Sequence, residues 1–328
     1  MFTYETLSAN RRQFIDAVIK HFPDIQESIT RDQIREVMNK ENLNHPQWLT
    51  SPENKLGKNL FGMPSTTQSA PVIEESDDEI DIRIADRYES METLISAVAS
   101  NTVNSLVIAG APGLGKSYTV NKVLNEINYG SEYNYVFHRG YLRASHLFRL
   151  LWENRHQGQT IVLDDTDSIF GDETALNILK AALELKPSRR IGWGSEKEFL
   201  DEDGEVIPRY FDYEGSVIFL TNLAFHDLIA SNNKYSPHLS ALESRSLVLD
   251  LGIKTKKEYI IKIRQTVNSG MLREKGFTSS EESLIMEFVE SNIDNLRELS
   301  LRMVEKIASL FKLNRNNWEK LAKTVCCK

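Results

Sequence analysis

The sequence is poor in cysteine, since its only two cysteines, Cys326 and Cys327, are adjacent near the C-terminal end. Adjacent cysteines rarely bridge distant parts of a fold, so the sequence does not indicate a disulfide-stapled protein of an oxidising compartment. It also lacks an apolar run close to the ~20 residues that a membrane-crossing helix needs. The first residues lack the basic and apolar regions of a signal peptide. We therefore expect a cytoplasmic protein without a membrane partner.

An excess of positive charge is missing as well. The formal net charge is −8, which argues against a generally basic nucleic-acid binder and leaves open only a local basic patch. Hydrophobic residues make up 41% and charged residues 26% of the 328 residues. This composition is ordinary for a globular protein, and the length suffices for two or three domains.

The N-terminal region, residues 1–63, predicts a small, mainly helical domain. Apolar spacing indicates one helix over residues 7–22 and a second that begins with Thr30 as its N-cap and runs to about Asn42. A short hairpin near residues 60–63 would make the domain winged-helix-like. Its positive and negative charges balance, so docking to a protein is at least as well supported as binding to DNA. Residues 64–81 are rich in Ser, Thr and Pro and then acidic, which predicts a flexible linker.

Residues 82–253 predict an α/β domain, because short apolar runs alternate with helical segments. Their continuous apolar character is typical of strands that are buried on both faces of a parallel sheet. The predicted strands are residues 105–109, 133–139, 160–163, 216–221 and 246–251. Only helical patterns follow residue 254, so residues 254–328 predict a helical domain.

A complete phosphate-binding loop follows the first of these strands. Glycines let backbone N–H groups turn towards phosphate oxygens, and the helix after the loop contributes the positive end of its dipole. Lys116 is expected to contact the β- and γ-phosphates of ATP, and Ser117 to ligate Mg²⁺. The predicted nucleotide-binding residues are Gly110, Ala111, Pro112, Gly113, Leu114, Gly115, Lys116, Ser117 and Tyr118.

Two adjacent carboxylates end the strand that spans residues 160–163. The carboxyl end of such a strand lies beside the phosphate loop in an open α/β sheet. Asp164 is therefore expected to hold Mg²⁺ together with Ser117, and Asp165 to activate the attacking water.

The spacing of these two motifs resembles that of AAA+ ATPases over about residues 82–312, and it looks most similar to AAA ATPases encoded by tailed bacteriophages. The resemblance implies a five-stranded parallel P-loop core with a C-terminal helical lid. It also implies that Asn222, after the strand 216–221, orients the attacking water, unless Asn222 is a plain turn residue. Arg245 would be an arginine finger that reaches the γ-phosphate of a neighbouring subunit in a homo-oligomer, in the form of a ring; the alternative is a surface arginine.

A further arginine is implied for the lid. The segment 295–299 resembles the helix that carries the second sensor residue, so Arg297 would reach the γ-phosphate. Arg302 is the second choice for this role, and an ion pair on the helix surface is the alternative explanation of Arg297.

The sequence departs from the family pattern at one position. The family usually has Asp-Glu where this chain has Asp164 and Asp165, and an aspartate is one methylene shorter. Hydrolysis could then be slow, or Asp167 or Glu173 could contribute. ATP binding is therefore a stronger prediction than fast turnover.

Two segments bear on the use of ATP. Tyr141 and Arg143 lie in a loop that faces the central pore in AAA+ rings, where they could grip a polymer; an ordinary loop is the alternative. A β-hairpin is predicted on either side of the turn 201–204, and it resembles an insertion of one branch of AAA+ proteins. Its candidate contacts are Arg189, Arg190 and Trp193, although Trp193 could equally be hairpin packing.

The sequence thus predicts an ATPase that hydrolyses Mg-ATP to ADP and phosphate to remodel or translocate a protein or nucleic-acid substrate, with a role in phage DNA metabolism and DNA as one possible partner. The alternative is an ATP-gated switch or loader that turns over slowly and assembles with a partner protein. A nucleotide kinase fits less well, because Asn222, Arg245 and the helical C-terminal region suit an AAA+ protein better.

Overall fold

The chain forms two compact units, Met1–Glu74 and Glu75–Lys328. The structure of the protein, a computed structural model, describes residues 7–22, 25, 28–63, 75–129, 132–186, 188–194, 198–201, 203–223, 225–230 and 236–328. Most of the predicted linker, residues 64–74, lies outside the described residues, as does residue 202 in the predicted hairpin turn.

The first unit contains the two predicted helices and the hairpin. Its elements are α1 (Ala9–His21), β1 (Ser28–Thr30), α2 (Arg31–Glu41), β2 (Lys55–Gly57) and β3 (Leu60–Gly62). The strands form an antiparallel sheet in the order β1-β3-β2. Thr30 caps α2 through a capping box with Gln33, which satisfies backbone N–H groups that the first turn leaves free.

The second unit begins with a helix inside the predicted linker. Helix α3 spans Asp77–Ala99, so the linker prediction is wrong for its last five residues, 77–81. Ser76 and Glu79 form a capping box, and acidic side chains in the first turn interact favourably with the helix dipole. The acidic residues 77–79 therefore form the first turn of a helix and are not part of a flexible linker.

Helices and strands alternate through the rest of the second unit. They are β4 (Ser105–Ala109), α4 (Lys116–Asn128), β5 (Asn134–Arg139), α5 (Ala144–Glu153), β6 (Gln159–Asp164), α6 (Glu173–Ala182), β7 (Arg189–Gly192), β8 (Phe199–Leu200), β9 (Val206–Ile207), β10 (Tyr210–Tyr213), β11 (Ser216–Thr221), α7 (Phe225–Ala230), α8 (Ser236–Glu243), β12 (Leu247–Asp250), α9 (Lys256–Asn268), α10 (Ser279–Ser291), α11 (Leu301–Leu313) and α12 (Trp318–Cys326).

Five of these strands form one parallel sheet in the order β12-β4-β11-β6-β5. Successive side chains of a strand point to opposite faces. Leu106 and Ile108 of β4 accordingly pack into the core that holds the buried side chains of α3 and α4, whereas Val107 packs into the core formed with α5 and α6. The predicted five-stranded parallel sheet with helical flanks is confirmed.

The predicted β-hairpin is inserted between α6 and β11. Strand β7 pairs antiparallel with β10, and β8 pairs antiparallel with β9 further along the hairpin. The predicted helical region after residue 254 consists of α9 to α12. Helix α11 begins at the phosphate loop, because the backbone N–H of Leu301 donates to the carbonyl of Gly113 at 2.8 Å. In the part of the chain that the structure describes, no helix combines the length and apolar character that crossing a membrane requires.

Candidate nucleotide-binding site

The polar residues singled out in the sequence meet at one edge of the parallel sheet. Strands β4, β6 and β11 are in register, with Leu220 opposite both Ile108 and Asp164. The residues that follow these strands therefore lie side by side at the carboxyl edge, where ligands bind in open α/β sheets. Asn222 and Asp165 are thereby placed next to the phosphate loop.

The phosphate loop has the backbone that its glycines predict. Gly113 and Gly115 have φ angles of +73° and +90°, which residues other than glycine rarely adopt. The Nζ of Lys116 donates to the carbonyls of Gly110 and Ala111, at 2.6 and 2.9 Å, and to Oδ1 of Asn222 at 2.8 Å. Burial lowers the pKa of Lys116 to about 8, although three neighbouring aspartates favour its charged form.

The two predicted metal ligands are in contact. The hydroxyl of Ser117 donates to Oδ1 of Asp164 at 3.0 Å, and Asp164 is 6% exposed. Mg²⁺ prefers oxygen ligands and is usually held by one or two protein groups, substrate phosphates and water. Ser117 and Asp164 fit such a site, and no cluster of three or more His, Cys, Asp or Glu that could hold a metal occurs among the described residues.

Arg139 also contacts the candidate metal ligand. It ends β5 opposite Asp164, and its Nε lies 3.0 Å from the second oxygen, Oδ2, of that carboxylate. The arginine side chain is 64% exposed, whereas that of Asp164 is 8% exposed. One oxygen of Asp164 thus accepts a hydrogen bond from Ser117, and the other accepts one from Arg139.

Asp165 lies directly beyond β6 in the left-handed region, with a φ of +53°. Its backbone N–H still donates to the carbonyl of Leu220, so the turn follows the last bond of the sheet. The exposed carboxylate accepts a hydrogen bond from Nδ2 of Asn222 at 2.8 Å, while Oδ1 of the same amide accepts from Lys116. Asn222 therefore links the phosphate-loop lysine to the candidate base.

The two alternative carboxylates are placed differently. Asp167 accepts a hydrogen bond from the Thr221 hydroxyl at 2.7 Å, and burial raises its pKa. Glu173 lies exposed in the first turn of α6. Neither lines the cleft at the phosphate loop, as far as the described residues define it. Asp165 does line it and remains the predicted base.

The phosphate loop opens into a cleft of about 490 Å³ between the sheet edge, α3 and the C-terminal helices. The predicted residues Gly113 to Tyr118, Asp164, Asp165 and Asn222 line it, whereas Gly110, Ala111 and Pro112 do not belong to the lining that the described residues form. Further lining residues are Tyr88, Glu92, Thr119, Lys122, Lys262, Thr266, Ser269, Met271, Glu274, Lys275, Leu301, Arg302 and Glu305.

The position of Arg297 does not fit the role expected for it. Its Nε donates to the carbonyl of Cys327 at 2.9 Å, and its backbone N–H donates to that of Cys326. Arg297 thereby holds the C-terminal segment outside the cleft. Arg302, in the first turn of α11, lines the cleft and repels the ammonium of Lys116. The geometry therefore favours Arg302, the second choice from the sequence.

Arg245 lies between α8 and β12 and does not line the cleft of its own chain as described. Its guanidinium donates to the carbonyl of Ala241 at 2.7 Å and to Glu184 at 3.4 Å. The side chain is 26% exposed, and its buried Nε has no hydrogen-bond partner among the described residues.

The candidate substrate-gripping residues divide into exposed and packed groups. Tyr141 is 72% exposed, and the guanidinium of Arg143 lies 5.9 Å from its ring centroid. Trp193 instead packs against Phe148, with ring centroids 5.5 Å apart. Arg189 is buried and donates to the carbonyls of Tyr213 and Gly215, so the suggestion that it is a surface contact is wrong. Arg190 is exposed beside Tyr210.

Sequence reasoning missed three residues of the site. Arg139 could have been noticed as a basic residue at the end of the predicted strand 133–139, which precedes the Asp164 strand in the chain. Lys262 interrupts the apolar run Tyr259-Ile-Ile-Lys-Ile263, which is a signal of a buried lysine. Tyr88 lies in a helix whose start was assigned to the linker, and nothing in its spacing distinguishes it from an ordinary core tyrosine.

Known proteins resemble this chain in structure or in sequence. No protein-family model matches the chain. Similar solved structures include the RuvB Holliday junction branch migration motor from Thermotoga maritima, at 13% identity, a TM-score of 0.39 and coverage of 76% of this chain and 70% of that one. Domain III of the replication initiation protein DnaA from Thermotoga maritima is similar at 12% identity and a TM-score of 0.41, over 70% of this chain and 84% of that one.

A curated relative is much more similar in sequence. The chain is 31% identical over 251 residues to the "Uncharacterized 36.7 kDa protein in nrdC-mobD intergenic region" of Enterobacteria phage T4. The match covers 76% of each chain. The protein therefore belongs to the same family as this phage T4 protein.

Proposed function

We propose that the protein is an AAA+ ATPase that binds Mg-ATP in the cleft at the phosphate loop and hydrolyses it to ADP and phosphate. The observation that carries the proposal is the bridge made by Asn222. One amide places the phosphate-loop lysine, Lys116, and an exposed carboxylate, Asp165, on the same side of the cleft. This arrangement supports a charge-stabilising role for Lys116 and a role as base for Asp165 at the same phosphate.

In the proposed reaction, a water oxygen forms a bond to the γ-phosphorus while the bond to the β–γ bridging oxygen breaks. Asp165 accepts the proton of that water, and Asn222 holds the Asp165 carboxylate in place. Lys116 and Arg302 stabilise the charge that spreads over the phosphate oxygens. Lys116 must exchange its backbone acceptors for phosphate oxygens on binding.

The metal would be held by Ser117 and Asp164, which already lie in contact. When bound, Mg²⁺ supplies positive charge to the β- and γ-phosphates. Arg139 donates a hydrogen bond to one oxygen of Asp164. Arg139 therefore lies where it can oppose metal binding, or can move away so that the carboxylate binds the metal.

The proposed assembly is a homo-oligomer, in the form of a ring. Arg245 is not among the described residues that line the cleft of its own chain, and its guanidinium is partly exposed and incompletely hydrogen-bonded. These features suit a group that completes the site of a neighbouring subunit. The substrate of such an assembly would be a protein or a nucleic acid, with DNA included, and the exposed Tyr141 and Arg143 would contact it.

A slow ATP-gated switch or loader is the second candidate. Two observations favour it: the base is an aspartate, and both Lys116 and Asp164 already have protein partners that a nucleotide must displace. Such a protein would bind ATP and act through a partner protein, with little turnover.

The test compares ATP binding and phosphate release in the wild type and in matched variants. Lys116→Ala should lose binding. Asp165→Asn should keep Mg-ATP and lose hydrolysis by about 10²–10⁴-fold, the usual contribution of a positioned base. Glu173→Gln is the control, because this carboxylate is exposed and outside the cleft, and it should keep the wild-type rate. Normal turnover in Asp165→Asn would show that the base lies elsewhere.

The same assay separates the two candidates. Turnover that rises when single-stranded DNA or an unfolded polypeptide is added favours a remodelling ATPase, and the polymer that stimulates it identifies the substrate class. A wild-type rate that stays close to that of Asp165→Asn under all conditions, with ATP tightly bound, favours the switch.

A further inference from the structure

Lys262 is a buried lysine whose ammonium lies on the face of an aromatic ring at the cleft. It lies in α9 and is 8% exposed, yet it belongs to the lining of the cleft. Its Nζ lies 3.1 Å from the ring centroid of Tyr88, and among the described residues it has no hydrogen-bond or ion-pair partner. Lys116, the other buried lysine of the cleft, has three acceptors.

The described residues give the N–H groups of this ammonium an aromatic face and no hydrogen-bond acceptor. The face of an aromatic ring attracts a cation but accepts none of its three N–H groups as a carbonyl or carboxylate would. Burial lowers the pKa of Lys262 to about 8, and the carboxylate of Glu92, on the same wall of the cleft, opposes this shift. Lys262 is therefore mostly charged at neutral pH and able to donate to a ligand.

The position of Lys262 in the cleft indicates which part of a nucleotide it meets. The hydroxyl of Tyr88 donates to the carbonyl of Leu114 at 2.6 Å, so Tyr88 and the Lys262 ammonium on its ring lie beside the phosphate loop. The candidate metal ligands, Ser117 and Asp164, line the same cleft, and Asp164 ends strand β6 of the sheet. A nucleotide whose phosphates lie beside these ligands directs its base towards α3 and α9.

We propose that Lys262 selects the base of the nucleotide, by donating a hydrogen bond to a ring nitrogen of adenine while Glu92 accepts one from the exocyclic amino group. This inference rests on the proposed ATP-binding function. Adenine presents a ring acceptor, N1 or N7, beside its amino donor, whereas guanine has a carbonyl acceptor in place of that amino group. A lysine and a glutamate on one wall match the adenine pattern.

The test measures binding of ADP and of its 1-deaza and 7-deaza analogues, each of which lacks one of the two ring nitrogens beside the amino group. Wild type should bind one analogue about tenfold or more weakly than ADP, as expected for loss of a hydrogen bond to a charged group. Lys262→Met should bind ADP and that analogue equally well. Lys256→Met is the matched control, since this lysine lies exposed on the same helix outside the cleft, and it should keep the wild-type discrimination.

The outcomes distinguish this inference from the proposed function. Unchanged discrimination in Lys262→Met, while Lys116→Ala still abolishes ADP binding, would overturn the role of Lys262 alone. Wild type that does not bind ADP would overturn ATP binding itself. Tighter binding of GDP than of ADP would overturn the assignment to adenine. Methionine removes a buried charge, so unfolding of Lys262→Met in denaturant should occur no earlier than that of wild type, which confirms that the variant is folded.

Discussion

Gly113 offers a sensitive test of the contact between the phosphate loop and α11. Its φ of +73° is strained for any residue with a side chain, and a Cβ added there would lie 2.7 Å from the Cβ of Ser300. We expect Gly113→Ala to cost about 1–2 kcal/mol for the left-handed backbone. The overlap with the buried start of α11 should add about 1–3 kcal/mol, as at other overpacked sites.

The matched control is Gly158→Ala. Gly158 has a φ of +80°, but nothing lies within 4 Å of a Cβ added there, so this variant measures the backbone cost alone. Both variants are compared with wild type by urea unfolding of the full chain without nucleotide, followed by circular dichroism. Gly113→Ala should be the less stable of the two by about 1–3 kcal/mol.

Removing the opposing atom should relieve the overlap. Ser300 caps α11, and replacing a serine cap by glycine costs only a few tenths of a kcal/mol. In a Ser300→Gly background, Gly113→Ala should therefore cost no more than Gly158→Ala does. Equal destabilisation by the two glycine substitutions in the wild-type background, or no relief from Ser300→Gly, would refute the close packing of the loop against α11.

Two further predictions concern arginines. Arg302→Ala should lower the rate of ATP hydrolysis or weaken ATP binding about tenfold or more, because Arg302 lines the cleft. Arg297→Ala should leave both within about twofold and should lower thermal stability instead, because it frees the C-terminal segment. Equal kinetic losses in the two variants would contradict these different roles. Arg245→Ala should keep ATP binding and lose about 10³-fold or more in the rate of hydrolysis. Mixing it with Lys116→Ala should restore part of the activity, at interfaces that pair an intact arginine with an intact phosphate loop. A monomer whose turnover per chain is independent of concentration would rule out an arginine supplied in trans.

Local chemistry made much of the fold and the core of the site predictable. The glycines of the phosphate loop and the apolar strands before and after it carry short-range signals, since each needs a particular backbone or a buried environment. The strand predicted at residues 105–109 has those bounds in the structure, and Asp164, Asp165 and Asn222 lie at the ends of strands as expected. Parallel pairing then brings their carboxyl ends together without further information.

Other features depended on contacts between distant segments. Arg297 and Arg302 are close in the chain, and both are plausible from the sequence. Only the docking of α11 on Gly113 and the pairing of Arg297 with the C-terminal segment separate them. The acidic run before Ile82 predicts a flexible linker, because the residue types that form a capping box are also common in solvated linkers.

The sequence by itself therefore determined the backbone of the phosphate loop, the strands of the sheet and the carboxylates at their ends, because these follow from steric rules and hydrophobic patterns within a few residues. The tertiary structure alone decided which side chains from α3, α9 and α11 complete the cleft. Lys262 shows the reason: its helix presents it to the cleft only because α9 packs against Tyr88 of α3, which lies far earlier in the chain. The apolar residues around Lys262 indicate that it is buried, but its partner in α3 is decided by the packing of the whole folded unit.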